Sequence, residues 1–180
     1  MSLEQSLVIN GWTIFAHPLF LDSVEKLVIE VERLQQKDPD NYRQKNVTKR
    51  LKAIYKLAFE TIPQDPTRSE YRQGNTLGDE YKHWFRAKFF QQYRLFFRYH
   101  QTSKILVLAW VNDENSKRAY SSSTDAYRVF GKMLDSGEPP NNWDSLLLAA
   151  EDEIDRLDSI VKSRSIESTE PQDLELDDIT

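Results

Sequence analysis

The strongest constraint on the fold is a series of three consecutive segments rich in aromatic and β-branched residues. They run from Trp84 to Phe90, from Tyr93 to Tyr99 and from Lys104 to Val111, and the breaks between them are short and polar. Aromatic and β-branched residues favour strands, and short polar breaks favour hairpins. The pattern therefore predicts three successive antiparallel strands at the centre of the molecule.

Residue parity divides this predicted sheet into two faces, because side chains alternate along a strand. One face is apolar and holds Phe85, Ala87, Phe89, Leu95 and Phe97. The opposite face is a cationic row with Trp84 and Phe96 among its charges: Arg86, Lys88, Arg94 and Arg98. Two interpretations of the row stay open. Such cations are most often solvated, but like charges with interleaved aromatic rings also suit a surface that binds phosphates and stacks bases.

The flanking segments predict one more strand and several helices. Val8–Ala16 is predicted as a strand with Gly11 as a candidate bulge, residues 21–36 and 42–61 as helices, and residues 62–81 as a long loop. The second helix is predicted to direct Arg50 and other cations outward. A short helix capped by Thr124 should end at Gly137. We therefore expect an α+β protein: a mostly antiparallel sheet of about four strands with two N-terminal helices packed on one face, a short helix after the sheet and an extra C-terminal helix.

The C-terminal part differs from the rest in charge and spacing. Residues 1–133 contain 21 Lys and Arg against 15 Asp and Glu, whereas residues 134–180 contain 3 against 14. A heptad-like seam predicts one helix from about Asn142, which either docks on its own body or serves a partner; it consists of Trp143, Leu147, Ala150, Ile154, Leu157 and Val161. We predict a main domain over residues 1–137, a helical extension over 138–162 and a disordered acidic tail over 163–180.

The composition excludes several classes of chemistry. The chain has no cysteine, which removes disulfides and thiolate nucleophiles and fits a reducing cytoplasm. The first residues lack the pattern of a signal peptide, and no run has the length and hydrophobicity of a membrane span. There is no nucleotide-binding fingerprint and no metal-ligand spacing among the three histidines, so we expect no cofactor and no metal. The Lys, Arg, His and Tyr that remain suffice for RNA cleavage by the substrate's own 2′-hydroxyl, which needs only proton transfer and charge stabilisation.

Ordered motifs between Asn10 and Trp143 resemble the YhaV toxin family of the RelE-like superfamily. They are NGWxxxAHP from Asn10, KDPxNY from Lys37, WFRAKF from Trp84, YRLFFRY from Tyr93, WVNDENSKRAY from Trp110, DAYxVF from Asp125 and PPxxW from Pro139. The resemblance implies a RelE-like fold and the toxin half of a bacterial type II toxin–antitoxin system. RelE-like enzymes share no fixed catalytic set, and the chain beyond about Ser145 is longer than the family leads us to expect.

The same resemblance implies an endoribonuclease (an mRNA interferase) that acts on mRNA in the ribosomal A site. It also implies a PrlF-type antitoxin related to AbrB-like DNA-binding proteins, with operator DNA contacted only through the antitoxin complex and no membrane partner. A non-catalytic binding module and a ParE-like topoisomerase-inhibiting toxin remain the alternatives.

Site residues are predicted from the cationic row and its neighbours. We expect Arg86 and Arg94 to neutralise phosphate charge, and His83, Tyr120 and Tyr127 to be the candidate proton carriers of the catalytic set. The remaining cations are predicted to bind RNA: Lys82, Lys88, Arg98, Lys117 and Arg118.

Overall fold

A computed structural model of the chain describes residues 6–120 and 122–167. Its sheet has five strands in the order β1-β2-β5-β4-β3. The strands are β1 (Val8–Ile9), β2 (Trp12–Ala16), β3 (Phe85–Phe89), β4 (Tyr93–His100) and β5 (Ile105–Val111). Only β2 and β5 pair in parallel; the other neighbours are antiparallel. The α+β class, the mostly antiparallel sheet and the three central strands are confirmed.

The N-terminal strand is a hairpin rather than the single bulged strand that the sequence predicted. Asn10 and Gly11 both adopt positive φ, 50° and 82°, and β1 pairs with β2 on either side of them. A two-residue hairpin turn requires this conformation, and Asn-Gly is the pair that adopts it most easily. Asn10 Nδ2 also donates to the carbonyls of Pro63 and Gln64, at 3.2 and 2.9 Å. The sequence analysis interpreted Gly11 as a bulge, whereas Asn10-Gly11 is a hairpin turn. The structure therefore has two strands where one was predicted.

Two N-terminal helices cover one face of the sheet. Helix α1 (Pro18–Lys37) is followed by α2 (Asn46–Lys56), a π-helical segment (Leu57–Thr61) and the one-turn α3 (Ile62–Gln64). They enclose a first hydrophobic core with side chains that include Phe20, Leu51, Ile54, Leu95, Phe97 and Leu108. Arg50 does not point outward as predicted: it is buried, and its Nη1 donates to the Tyr93 hydroxyl at 3.0 Å. The predicted loop over residues 62–81 also contains α3 and two 3₁₀ turns, Ser69–Tyr71 and Asp79–Tyr81.

The opposite face of the sheet is covered as well, so a simply solvated cationic face is wrong. Helices α4 (Ala126–Ser136) and α5 (Trp143–Glu151) enclose a second core over its middle. Phe130 stacks on Phe96 and Trp110 with ring centroids 4.1 and 5.7 Å apart. Asp125, not Thr124, caps α4 by accepting the Tyr127 amide, and Gly137 ends the helix at φ 92°. Cations are thereby confined to the two ends of this face.

The C-terminal segment is two helices rather than one. Helix α5 ends at Glu151 and α6 (Ile154–Glu167) follows. Leu146 and Ala150 belong to the second core, whereas Leu157 and Ile160 belong to the first. The break therefore lets the chain pass beside β2 from one face of the sheet to the other.

Helix α6 docks on its own body, which was the first of the two alternatives. Arg156 Nη2 bonds Asp22 at 2.6 Å and Glu25 at 2.9 Å on α1, and Arg164 pairs with Glu60. The division into a domain, an extension and a tail stays a prediction, and residues 168–180 of the predicted tail lie outside the described residues. Across residues 6–120 and 122–167, no helix is long and apolar enough to cross a membrane.

Candidate active site

One end of the second face gathers six predicted site residues, which we call the Tyr127 cluster: Arg86, Lys88, Arg94, Arg118, Tyr120 and Tyr127. Strand β3 supplies Arg86 and Lys88, and β4 places Arg94 directly opposite Lys88. Helix α4 brings Tyr127 over both strands. The side chains of Arg86 and Arg94 are buried, with 8% and 6% of their surface exposed. The two cations predicted to neutralise phosphate charge therefore lie together in a largely desolvated site.

A single hydroxyl fixes both buried guanidinium groups. The Tyr127 oxygen accepts from Arg86 Nε at 2.8 Å and from Arg94 Nε at 3.2 Å. A tyrosine hydroxyl accepts about two hydrogen bonds and donates one. Its accepting capacity is therefore filled by the arginines, and only its proton remains to be donated elsewhere.

Backbone carbonyls hold a second nitrogen of each guanidinium. Arg86 Nη1 donates to Glu70 O at 2.7 Å, and Arg94 Nη1 donates to Gln91 O and Tyr93 O, both at 2.8 Å. The Nη2 atoms of the two arginines have no hydrogen-bond partner among residues 6–120 and 122–167, and neither arginine pairs with a carboxylate there. Buried charges are normally paired, so these two cations are suited to a bound anion.

Lys88 is the exposed cation of the cluster. The charge of Arg86, followed by partial burial and the charges of Arg94 and Arg118, lowers the pKa of its ammonium group, while Tyr127 opposes this shift. A lysine whose pKa falls towards neutrality can carry a proton as well as bind a phosphate. The predicted set assigned Lys88 only to RNA binding.

Arg118 is held by a carboxylate instead of being free to clamp a phosphate. Its Nη1 lies 2.5 Å from Asp125 Oδ1, and its guanidinium carbon lies 3.8 Å from the Tyr120 ring centroid and 4.8 Å from that of Tyr127. Burial alone would raise the pKa of Asp125, but hydrogen bonds from Arg118 and the Ala119 amide hold it below its usual value. Tyr120 is 82% exposed. Arg118 thus connects the capped start of α4 to an exposed ring.

The turn between β3 and β4 lies against this cluster in a strained conformation. Phe90 and Gln91 have positive φ, 45° and 63°, and Gln92 N donates to Phe90 O at 2.7 Å. A non-glycine residue in this region costs roughly 1–3 kcal/mol and persists only where its surroundings enforce it. Asn112, which the sequence analysis included only within the WVNDENSKRAY motif, is one of those surroundings, since its Nδ2 donates to Gln92 O at 3.0 Å. Its position directly after the apolar strand β5 was the available signal.

The other predicted site residues lie at the opposite end of the face. Arg98 is sandwiched between Trp84 and Trp143, its guanidinium carbon 5.4 and 5.3 Å from their ring centroids, and its Nη1 donates to Asn141 O at 2.6 Å. His83 Nε2 lies 2.6 Å from Asn141 Oδ1. Arg94 and Arg98 lie four positions apart on β4, which corresponds to about 13 Å.

Two further cations also lie outside the cluster. Lys82 pairs with Asp79 at 3.0 Å, and Lys117 is half-buried after a 3₁₀ turn.

Burial lowers the pKa of Arg98 to about 10 and that of His83 below its usual value. Over residues 6–120 and 122–167, no three His, Asp or Glu side chains form a group that could hold a metal ion.

Comparison of the sequence with known proteins identifies the family of the chain. Residues 14–151 match the model of a family described as a toxin with endonuclease activity, of a toxin–antitoxin system. The chain is 46% identical to Toxin YhaV of Escherichia coli O6:H1 and 45% identical to Ribonuclease toxin YhaV of Escherichia coli K12. Each alignment spans 146 residues, 80% of this chain and 95% of the relative.

No solved structure matches the chain, so its place in the RelE-like superfamily stays a prediction. The match covers all six residues of the Tyr127 cluster and extends beyond residue 137, the predicted end of the main domain. Helix α6 begins after the last matched residue. On the family match and the two relatives, the chain belongs to the YhaV family of toxins with endonuclease activity in toxin–antitoxin systems.

Proposed function

We propose that the chain is an endoribonuclease that cleaves mRNA by attack of the RNA's own 2′-hydroxyl, with the Tyr127 cluster as its active site. The observation that carries the proposal is the pair of buried guanidinium groups, Arg86 and Arg94, fixed by one hydroxyl and without a carboxylate partner among the described residues. The name of the Escherichia coli K12 relative, a ribonuclease toxin, supports RNA as the substrate.

In this reaction the 2′-oxygen attacks the adjacent phosphorus, and the bond from phosphorus to the 5′-oxygen breaks. The products are a 2′,3′-cyclic phosphate and a 5′-hydroxyl. The phosphorane gains negative charge on its non-bridging oxygens, which the Nη2 groups of Arg86 and Arg94 are placed to neutralise. Donors fixed before the reaction are effective because they need not reorganise as the charge develops.

Lys88 is the best-placed general base for the 2′-hydroxyl. Its amine is exposed on the strand opposite Arg94, and the neighbouring cations favour its neutral form. Tyr120 and the remaining proton of Tyr127 are candidates for protonating the 5′-oxygen. We assign no proton transfer to His83, which lies beside Asn141 at the other end of the face.

The same donor set supports catalysis without a metal ion. The guanidinium groups of Arg86 and Arg94 and the ammonium group of Lys88 surround the position that we assign to the phosphate, and like charges repel at this range. A divalent cation would therefore compete unfavourably with the side chains that already supply positive charge. We propose that cleavage of naked RNA proceeds in EDTA.

The test is product analysis with purified chain on labelled RNA, both naked and in translating ribosomes. Fragments with a 5′-hydroxyl and a cyclic phosphate or 3′-phosphate are expected, and Arg94→Ala should lower the cleavage rate by about 10²–10³. Lys26→Ala, an exposed cation on α1, is the matched control and should cleave like the wild type. Fragments with 5′-phosphates, or full activity in Arg94→Ala, would contradict the proposal. No cleavage on either substrate would favour a ParE-like or non-catalytic toxin.

A member of a toxin–antitoxin family has an antitoxin partner. We propose that this partner is of the PrlF type, with an AbrB-like DNA-binding domain, that the pair contacts operator DNA only through it, and that the toxin acts on ribosome-bound mRNA in the cytoplasm. Cleavage that is faster on translated than on naked mRNA, and abolished by an AbrB-like protein encoded beside the toxin, is the expected result. Equal rates on both RNAs would remove the ribosome from the proposal.

A further inference from the structure

Asn112 makes more contacts around the Tyr127 cluster than a surface turn residue requires. It follows β5 directly, and its side chain is 3% exposed. The side-chain oxygen accepts the Arg94 amide at 2.7 Å. Its Nδ2 donates to Gln92 O at 3.0 Å and to Ser116 O at 2.8 Å. One carboxamide thus connects the start of β4, the strained turn and the loop that leads to Arg118.

These bonds act on the same turn that holds the Arg94 guanidinium. Arg94 Nη1 donates to Gln91 O, and Gln91 is one of the two turn residues with positive φ. The Arg118 amide also donates to Gln92 O, at 2.9 Å. A turn of non-glycine residues at positive φ relaxes when its restraints are removed. Loss of the Asn112 donors would let the Gln91 carbonyl move, and the Arg94 guanidinium would move with it.

We infer that Asn112 is a positioning residue for RNA cleavage: its carboxamide holds the β3–β4 turn in the conformation that places the Arg94 guanidinium. The inference rests on the proposed function, because it gives Asn112 its role through Arg94. Asparagine suits the position because it offers one acceptor and two donors in a single plane. Aspartate would keep the acceptor and lose both donors.

Single-turnover cleavage kinetics of a double-mutant cycle test this role. A misplacement of about 1 Å costs on the order of 10²-fold in rate, so Asn112→Ala should lower kcat by about that factor and change KM by less than about threefold. In the Arg94→Ala background the same substitution should change kcat by less than about threefold, because the group it positions is already gone. A merely structural residue would lower the melting temperature equally in both backgrounds and leave the two kinetic effects additive.

Asn112→Asp is the second variant, for use if Asn112→Ala does not fold. Asn115→Asp is its control, because this substitution adds the same negative charge at an exposed position of the same loop. Asn112→Asp should cleave at least tenfold more slowly than Asn115→Asp. Wild-type kcat in both Asn112 variants, or additive losses in the cycle, would overturn the inference. Full activity in Arg94→Ala alone would instead overturn the proposed function.

Discussion

The two ends of the cationic row use the same residue type in opposite ways. Arg94 and Arg98 lie on the same face of β4, four residues apart. Arg94 meets Arg86, Lys88 and a tyrosine hydroxyl, and its Nη2 is left without a partner among the described residues. Arg98 is enclosed by two indole rings and bonded to a backbone carbonyl. Two indole rings cover the guanidinium at the second end, whereas at the first end two guanidinium groups lie beside an ammonium group.

The difference arises from what covers each end. The Phe96–Phe130–Trp110 stack fills the middle of the face and separates the two ends. At the Arg94 end, Tyr127 of α4 supplies a polar atom, and no carboxylate contacts Arg86 or Arg94 within the described residues. At the Arg98 end, the start of α5 supplies Trp143 and closes over the guanidinium. Parity places a cation on a face, but the helix packed above it decides whether that cation binds a ligand or stabilises the fold.

Replacement of Lys88 should produce the largest difference between the two ends. Loss of a general base costs typically 10²–10⁴ in rate, so Lys88→Met should lower kcat by about that range. Lys82→Met is the matched control, because Lys82 is an exposed lysine near the Arg98 end that pairs with Asp79. Its kcat should stay within about twofold of the wild type in single-turnover cleavage. Equal losses in both variants would mean that the rate follows overall positive charge.

The pH dependence of cleavage distinguishes a lysine base from a histidine base. A base must be neutral to accept a proton, so below its pKa the rate should rise about tenfold per pH unit. With Lys88 as base, this rise should continue above pH 7 and end below the usual lysine pKa, since Arg86 lowers it. His83→Asn should leave the profile unchanged. A profile already flat above pH 6.5 that is lost in His83→Asn would move the reaction to the other end of the face.

Removal of one hydroxyl should affect both activity and stability at the Arg94 end. Tyr127→Phe leaves two buried Nε donors without their acceptor, and an unsatisfied buried donor costs about 1–3 kcal/mol. We expect a loss of that size in the free energy of unfolding, measured in urea, and about a tenfold lower kcat because both guanidinium groups lose a restraint. Tyr120→Phe is the control for stability, as that side chain is 82% exposed. Unchanged stability in Tyr127→Phe would contradict the shared hydrogen bonds.

Local patterns predicted the strands and the face of each residue, but not what lies above them. The alternation along Trp84–Phe90 and Tyr93–Tyr99 placed Arg86, Lys88 and Arg94 together, because period-two patterning is a property of neighbouring residues. The burial of Arg50 and the break in the C-terminal helix depend on contacts between distant segments, which periodicity does not record. The alternation also placed Arg98 in the cationic row, but face parity gives no distance along a strand, so it did not predict that Arg98 lies at the other end of the face. Asn112 was missed because its partners are backbone atoms that only the folded chain brings together.

Among these substitutions, replacement of Arg98 should have the smallest effect on cleavage. Arg98→Ala removes two cation–π contacts worth about 0.5–1 kcal/mol each and a hydrogen bond to Asn141 O, so the free energy of unfolding should fall by roughly 1–2 kcal/mol. Its kcat and KM should remain within about twofold of the wild type, because two indole rings cover the guanidinium. The control is Arg68→Ala, which removes an exposed arginine paired with Glu70 and should change stability by less than about 0.5 kcal/mol. If Arg98→Ala instead raises KM for RNA about tenfold at unchanged stability, Arg98 binds substrate and the cationic row is one continuous RNA surface.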